Sequence, residues 1–240
     1  MHRFVTPKIA VALAAAFAGG TLFAATITGS VTYDGKVPNL KPIDMAADAN
    51  CAKMHGGTPQ PSDLLVLGSG NTMANIMVSV GSGLPAGKTY PAPTTPVVMD
   101  QKGCHYSPHV FGLMVNQPFK VLNSDGILHN VHALPKVNSQ FNMAMPPTVK
   151  ESSKSFGKAE GMFMIKCDVH PWMSAYAGVF DNPFFSVTKD DGKFTISDLP
   201  AGTYEIDAWH EKLGVQKQTV TVGASESKTI NFKFTAPGAK

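Results

Sequence analysis

The sequence predicts an all-β protein, and three observations carry that prediction. Short runs rich in Val, Ile, Thr, Phe and Tyr recur along nearly the whole chain, each about the length of a strand. Turn formers punctuate them: the 240 residues include 22 Gly and 18 Pro. Only 15% of residues are charged against 43% hydrophobic, a balance that suits a globular core and leaves little material for long solvated helices.

Residues 1–24 read as a cleaved secretory signal peptide. Arg3 and Lys8 precede the small, apolar run 9–24, and Ala24 and Ala25 offer a small-residue cleavage point. The alternative is an uncleaved anchor, but sixteen residues with two internal Gly are short for a membrane span, which needs roughly 20. Without Arg3 and Lys8 the chain carries 18 basic and 17 acidic residues, a net charge of +1. Neither that balance nor any Lys/Arg run suits nucleic-acid binding, and no later segment is apolar enough for stable membrane insertion. The expected location is the periplasm or another exported compartment.

Residues 25–94 form an N-terminal β region and linker. Thr26–Tyr33 alternates β-branched residues and ends on the turn signal Asp34-Gly35. A short helix fits near Met45–Lys53, and strands are expected over 63–67 and 73–80. The stretch 81–96, with three Gly and four Pro, reads as a loop with little to pack. Residues 95–182 form a second block, with strands expected at 97–100, 111–115, 119–123, 129–134 and 162–167. Residues 183–240 form a third, with strands at 184–188, 193–197, 203–209, 217–222 and 228–234 and turns at Asp190-Asp191-Gly192 and Pro200-Ala201-Gly202.

Chemistry concentrates in Cys167-Asp168-Val169-His170-Pro171-Trp172-Met173. A thiolate, an imidazole and a thioether stand in C-x2-H-x2-M spacing, with His129-Asn130-Val131-His132 upstream. One thiolate, two imidazoles and a weak thioether suit a copper ion that must alternate between Cu(II) and Cu(I). Met is a poor zinc ligand, so zinc is a lesser alternative. Taken singly, Cys167 and Met173 are more often core residues; the combination, after the apolar run Met162–Ile165, is what points to metal. Residues three apart on a strand face opposite sides, so His129 and His132 do not both reach one ion.

Two further cysteines remain, Cys51 and Cys104. In an exported chain such a pair reads as a disulfide. The alternative is a second metal site drawing on His55, His105 and His109. Met143 and Met145 are expected to face the core, and Trp209-His210-Glu211 is read as packing with a solvent-facing polar edge. No H-E-x-x-H, C-x-x-C-H or G-x-S-x-G motif occurs.

The His-Asn-Val-His stretch and the Cys-x2-His-Pro-aromatic-Met loop resemble the cupredoxins, the small blue-copper proteins, and among them the amicyanin and plastocyanin group. The resemblance covers about residues 95–182. It implies a Greek-key β-sandwich holding one type 1 copper on His129, Cys167, His170 and Met173, with His129 the ligand of its motif. It also implies that Asn130 hydrogen-bonds the Cys167 loop, that Pro171 and Trp172 flank the site, and that an edge of His170 reaches the surface in an apolar docking patch. The implied function is single-electron transfer without chemical conversion of a substrate. Its implied partners are a periplasmic dehydrogenase and a c-type cytochrome. Copper storage, delivery or sensing is the alternative, and a copper oxidase or reductase with a second copper ranks third.

Separately, Thr188–Gly192, Phe194 and Leu199-Pro200-Ala201-Gly202-Thr203-Tyr204 resemble the carboxypeptidase regulatory-like domains, transthyretin-like or Ig-like sandwiches. Gly29–Gly35 looks like the first strand of the same type. The resemblance implies that the two ends of the chain fold together, with the middle block inserted between them.

Overall fold

The computed structural model describes Met1 and residues 24–236. The signal-peptide expectation falls on residues outside the described ones, apart from their ends. Among the described residues no helix is long and apolar enough to cross a membrane.

The architecture is all-β. The strands run β1 (Ala25–Asp34), β2 (Met77–Ser82), β3 (Val97–Lys102), β4 (His105–Ser107), β5 (Val110–Met114), β6 (Phe119–Asn123), β7 (His129–Ala133), β8 (Phe141–Met145), β9 (Glu151–Lys154), β10 (Glu160–Lys166), β11 (Ser174–Phe180), β12 (Phe185–Val187), β13 (Lys193–Leu199), β14 (Gly202–His210), β15 (Gly214–Val222), β16 (Ser227–Thr229) and β17 (Phe232–Thr235). One short helix, α1 (Ala49–Met54), lies between β1 and β2.

Two sandwiches result, each with its own apolar core. In the first, the sheet β4-β3-β6-β9 faces the sheet β5-β11-β10-β7-β8. Met99, Leu113, Phe119, Val121, Val131, Ile165 and Ala177 fill the space between them. In the second, β13-β1-β16, with β17 also pairing β1, faces β12-β2-β14-β15 over Ile27, Val31, Ile76, Ile206, Phe232 and Phe234. The first strand of the chain therefore pairs with three strands from its far end, antiparallel to β13 and parallel to β16 and β17. Alternation explains which side chains enter each core: on β14, Tyr204, Ile206 and Ala208 are buried while the residues between them are half exposed.

The sandwiches meet along β5 and β11 of one and β2, β12 and β14 of the other. Phe180 stacks on Phe185 with centroids 4.6 Å apart, and Tyr176 lies 5.2 Å from Trp209. Gly112 permits this approach, because a Cβ there would come within 2.6 Å of the Phe185 ring.

Four expectations change. Residues 63–67 form a turn and one isolated bridge rather than a strand, since the Ser62 hydroxyl accepts the Leu64 N–H at 3.3 Å and bends the chain. The strand expected from residue 73 begins at Met77, because Asn75 takes a positive φ of 62°. The loop 81–96 does pack: Leu84 and Tyr90 lie on the second core, with Tyr90 edge-on to Phe184 at 5.1 Å. The polar end of Trp209-His210-Glu211 is buried rather than solvent-facing, with His210 only 4% exposed, because it closes the junction between the sandwiches.

Candidate metal centre

The centre is assembled at one end of the first sandwich by β7, the end of β10 and the loop to β11. Antiparallel pairing of β10 with β7 sets Lys166 opposite His132, so the chain beyond Lys166 runs alongside Asn130. On β7, His129, Val131 and Ala133 are completely buried on one face. His132 is on the other face, 2.9 Å from Asp168 Oδ2 and partly exposed. The alternation thus separates the two histidines and turns His129 inward.

The loop closes on itself. Met173 N–H donates to the His170 carbonyl at 2.9 Å, and Cys167 N–H donates to the Met173 carbonyl at 3.1 Å. Asn130 holds the loop against β7. Its Oδ1 accepts from Asp168 N–H at 2.7 Å and from the Cys167 thiol at 3.3 Å, while its amide donates to Asn142 Oδ1 at 2.6 Å. Met173 is buried in the same core as Cys167. Pro171 is exposed, and Trp172 donates its indole N–H to the Cys104 carbonyl at 3.2 Å, its ring 5.2 Å from that of His170.

The donor atoms converge. His129 Nδ1 lies 2.9 Å from His170 Nδ1, and Cys167 Sγ lies 3.9 Å from His170 Nδ1. All three donors fall within 4.8 Å of one another and all three residues are buried, a span one cation bridges with bonds of about 2.0–2.3 Å. The far nitrogen of each ring meets a carboxylate: His129 Nε2 is 2.9 Å from Asp125 Oδ2, and His170 Nε2 is 3.2 Å from Asp48 Oδ2. The Asp48 carboxyl sits below its usual range, chiefly through the His170 hydrogen bond. Burial would raise the Asp125 carboxyl, but bonds from His129 and from the Cys104 and Gly103 amides bring it below its ordinary value. Ionised carboxylates only accept, so each Nε2 must donate, and in neutral rings both Nδ1 atoms then point bare lone pairs at each other.

Burial favours a neutral His129, yet Asp125 and Cys167 outweigh it and push the imidazolium pKa up to about 9. Burial likewise raises the Cys167 thiol, but hydrogen bonding to His129 and to backbone amides brings it below its ordinary value. Two bare nitrogens beside a sulfur primed to ionise need a shared cation, either a proton or a metal. The donor set therefore fits copper, and the soft sulfur argues for it over harder cations.

Cys51 and Cys104 form a disulfide that fastens α1 beside the centre. Cys104 N–H also donates to Asp125 Oδ2 at 2.7 Å, and Gly103 N–H to Asp125 Oδ1 at 2.5 Å. His55 donates to the Gly103 carbonyl at 2.8 Å and meets His105 edge-on at 5.9 Å; His105 lies 3.5 Å from Asp63. His109 is drawn away to Glu211. Among the described residues, every His/Cys/Asp/Glu group close enough to hold an ion includes His129 or His170. Met145 is fully buried opposite His129 on β8, and Met143 packs at the edge of the same core.

One implication of the family resemblance fails. His170 is 2% exposed, so its edge does not reach the surface; Asp48 and the start of α1 lie over it. The sequence reading also missed both carboxylates. Asp125 had a signal, a polar turn four residues before His129, whereas Asp48 is 122 residues from its partner and had none.

The family described as polysaccharide lyase family 4, domain II, matches residues 176–230, well under half of the chain, and lends no support to a transthyretin-like assignment there. No curated protein matches the sequence. Among solved structures, a copper-containing nitrite reductase from Thermus scotoductus SA-01 is 18% identical with a TM-score of 0.34, over 42% of this chain and 26% of that one. An oxidized amicyanin variant is 20% identical with a TM-score of 0.32, over 42% of this chain and 97% of its own. A purple cupredoxin from Nitrosopumilus maritimus is 19% identical with a TM-score of 0.29, over 34% and 97%. The chain thus spans about a quarter of the reductase and nearly all of the two small proteins, and these structural neighbours are cupredoxins or carry copper.

Proposed function

We propose that the chain is an exported type 1 copper protein that carries single electrons between redox proteins. The observation that supports this most is the facing pair of Nδ1 atoms, 2.9 Å apart, each on a ring whose other nitrogen is committed to a carboxylate, with Cys167 beside them. His129, Cys167 and His170 would hold the ion, and Met173, on the same closed loop, would be its weak fourth donor. Bound copper would supply one-electron chemistry by alternating between Cu(II) and Cu(I). The protein's own part is to keep the donors fixed through that change: the Asn130 bonds pin the thiolate loop, and the two carboxylates orient the imidazoles.

Burial of the donors favours a carrier over a delivery module, because exchange of the ion needs an accessible site. A reductase would need a second cluster of histidines, and His55, His105 and His109 each have other partners. The disulfide favours an oxidising compartment such as the periplasm. A dehydrogenase donor and a c-type cytochrome acceptor are the partner classes proposed.

The test is the visible and EPR spectrum of the mature chain loaded with Cu(II), together with its copper content. Intense blue or green colour at one copper per chain, lost in Cys167→Ser, is expected. A colourless Cu(II) form with the Cys167 thiol intact would refute the reading.

A further inference from the structure

We propose that Asp48 is a positioning residue of the copper centre, holding the outer nitrogen of His170 while the Cys51–Cys104 disulfide holds Asp48 in place. This rests on the copper reading above. Asp48 is partly exposed: its Oδ2 meets His170 Nε2 at 3.2 Å, and its Oδ1 accepts the Asn50 and Cys51 amides at 2.8 and 3.2 Å. One oxygen therefore starts α1 and the other faces the site. Without a tether, so short a helix would not stay docked. The tether is the disulfide, whose Cys51 Sγ lies within 4.8 Å of both Asp48 and His170 donor atoms.

The far end of that disulfide is equally well placed. Cys104 donates its amide to Asp125, the carboxylate behind His129, and accepts the indole N–H of Trp172. A single covalent link thus ties together the two carboxylates that back the two imidazoles. The consequence is electronic as well as geometric. An anionic acceptor on Nε2–H makes the opposite nitrogen a stronger donor, and a stronger nitrogen donor favours Cu(II) over Cu(I). Asp48 also shuts water out, leaving His170 2% exposed.

The competing role for Asp48 is simply to cap α1, and Asn separates the two because it caps helices as well as Asp does. The experiment uses the full mature chain as wild type, Asp48→Asn, Asp48→Ala and, as a control, Asp44→Asn, whose parent carboxylate caps only the nearby Ala46 amide. The metal-free proteins are examined by nitrogen-15 NMR of the imidazoles, and the copper-loaded proteins by potentiometry. In wild type, His170 should be the Nε2–H tautomer with a slowly exchanging proton, and Asp48→Ala should speed that exchange at least tenfold. Asp48→Asn should shift the ratio of Cu(II) to Cu(I) affinity toward Cu(I) by roughly tenfold, read as a potential about 59 mV higher; Asp44→Asn should match wild type. An Nδ1–H tautomer in wild type, or an unmoved potential in Asp48→Asn, overturns the proposal and leaves the copper reading standing. A colourless wild-type Cu(II) form overturns both.

Discussion

His109 Nε2 lies 2.6 Å from Glu211 Oε1, and with side chains 7% and 5% exposed the pair joins the two sandwiches. His109 stands just before β5 in the sandwich that bears the candidate metal centre, and Glu211 just after β14 in the other. The His109 Nδ1–H donates to the Ser174 carbonyl at 3.0 Å, one residue beyond Met173. The lock between sandwiches is thus anchored on the strand that leaves the Cys167–Met173 loop.

Burial pulls the His109 imidazolium down, but the Glu211 hydrogen bond and charge, with help from Asp63, raise it above its ordinary value. A raised histidine stabilises the fold fully below the unfolded pKa, about 6.5, and that contribution fades as pH climbs through the raised folded value. Glu211→Gln should therefore cost about 1–3 kcal/mol at pH 6 and clearly less at pH 9. Urea midpoints of the metal-free protein at the two pH values check this, and an equal loss at both would exclude a charged pair.

Asn130→Ala should disturb the loop more than the strand. It removes the acceptor shared by the Cys167 thiol and the Asp168 amide, and the donor to Asn142. A loss of roughly 2–3 kcal/mol is expected from the buried groups left unpaired. In the copper-loaded protein the thiolate-to-copper absorption band should move, because the loop that aims the sulfur loses the Asp168 amide bond tying it to β7. A variant that unfolds earlier yet keeps the wild-type band would show that Asn130 holds the loop without acting on the sulfur.

The local part of this centre was legible in the sequence and the remote part was not. Cys167, His170 and Met173 sit within one loop; strand alternation showed that only one of His129 and His132 could join them, and the resemblance to the cupredoxin motif chose His129. The pairing of Cys51 with Cys104 followed from the cysteine count and the expectation of export. What escaped was anything set by long-range packing: Asp48 reaching His170, and the cover that α1 places over it. The same holds for the fold. Strands with regular alternation, such as β14, were visible, whereas β11, Ser-Ala-Tyr-Ala-Gly-Val-Phe, has small residues on both faces. Its Gly178 lies so close to Met162 and Phe180 that a Cβ would come within 2.6 Å of the Met162 sulfur. That constraint comes from the partner strand and has no period in the sequence.

The disulfide should matter to stability as well as to the site. It closes a loop of 53 residues, and removing such a constraint from the unfolded chain costs about 4 kcal/mol. Cys51→Ala/Cys104→Ala should lower the urea midpoint accordingly while both sandwich cores stay intact, since neither cysteine stands on a strand: Cys51 is in α1 and Cys104 in the turn between β3 and β4. Near-native circular dichroism with a much lower midpoint is the expected pair of results. Loss of the β signal at zero denaturant would mean that the link is needed to form the first sandwich at all.

Met173 tests whether the centre is built to transfer electrons or to retain copper. Its backbone closes the loop on both Cys167 and His170, so the side chain can be changed without cutting those bonds. Leu has nearly the same volume, and such a swap in a buried site costs under about 1.5 kcal/mol. If the thioether is a weak axial donor, Met173→Leu should keep the colour and the one-copper content, because His129, Cys167 and His170 remain. The potential should rise, since Cu(II) depends on an extra donor more than Cu(I) does. Met173→Gln should lower it, because an amide oxygen is a harder donor. A copper-retaining protein would respond differently: its Cu(I) affinity would collapse with Met173→Leu while the potential of whatever copper remained moved little. Measuring potential and Cu(I) affinity on both variants separates the two, and the second pattern would replace the electron-carrier reading with copper delivery.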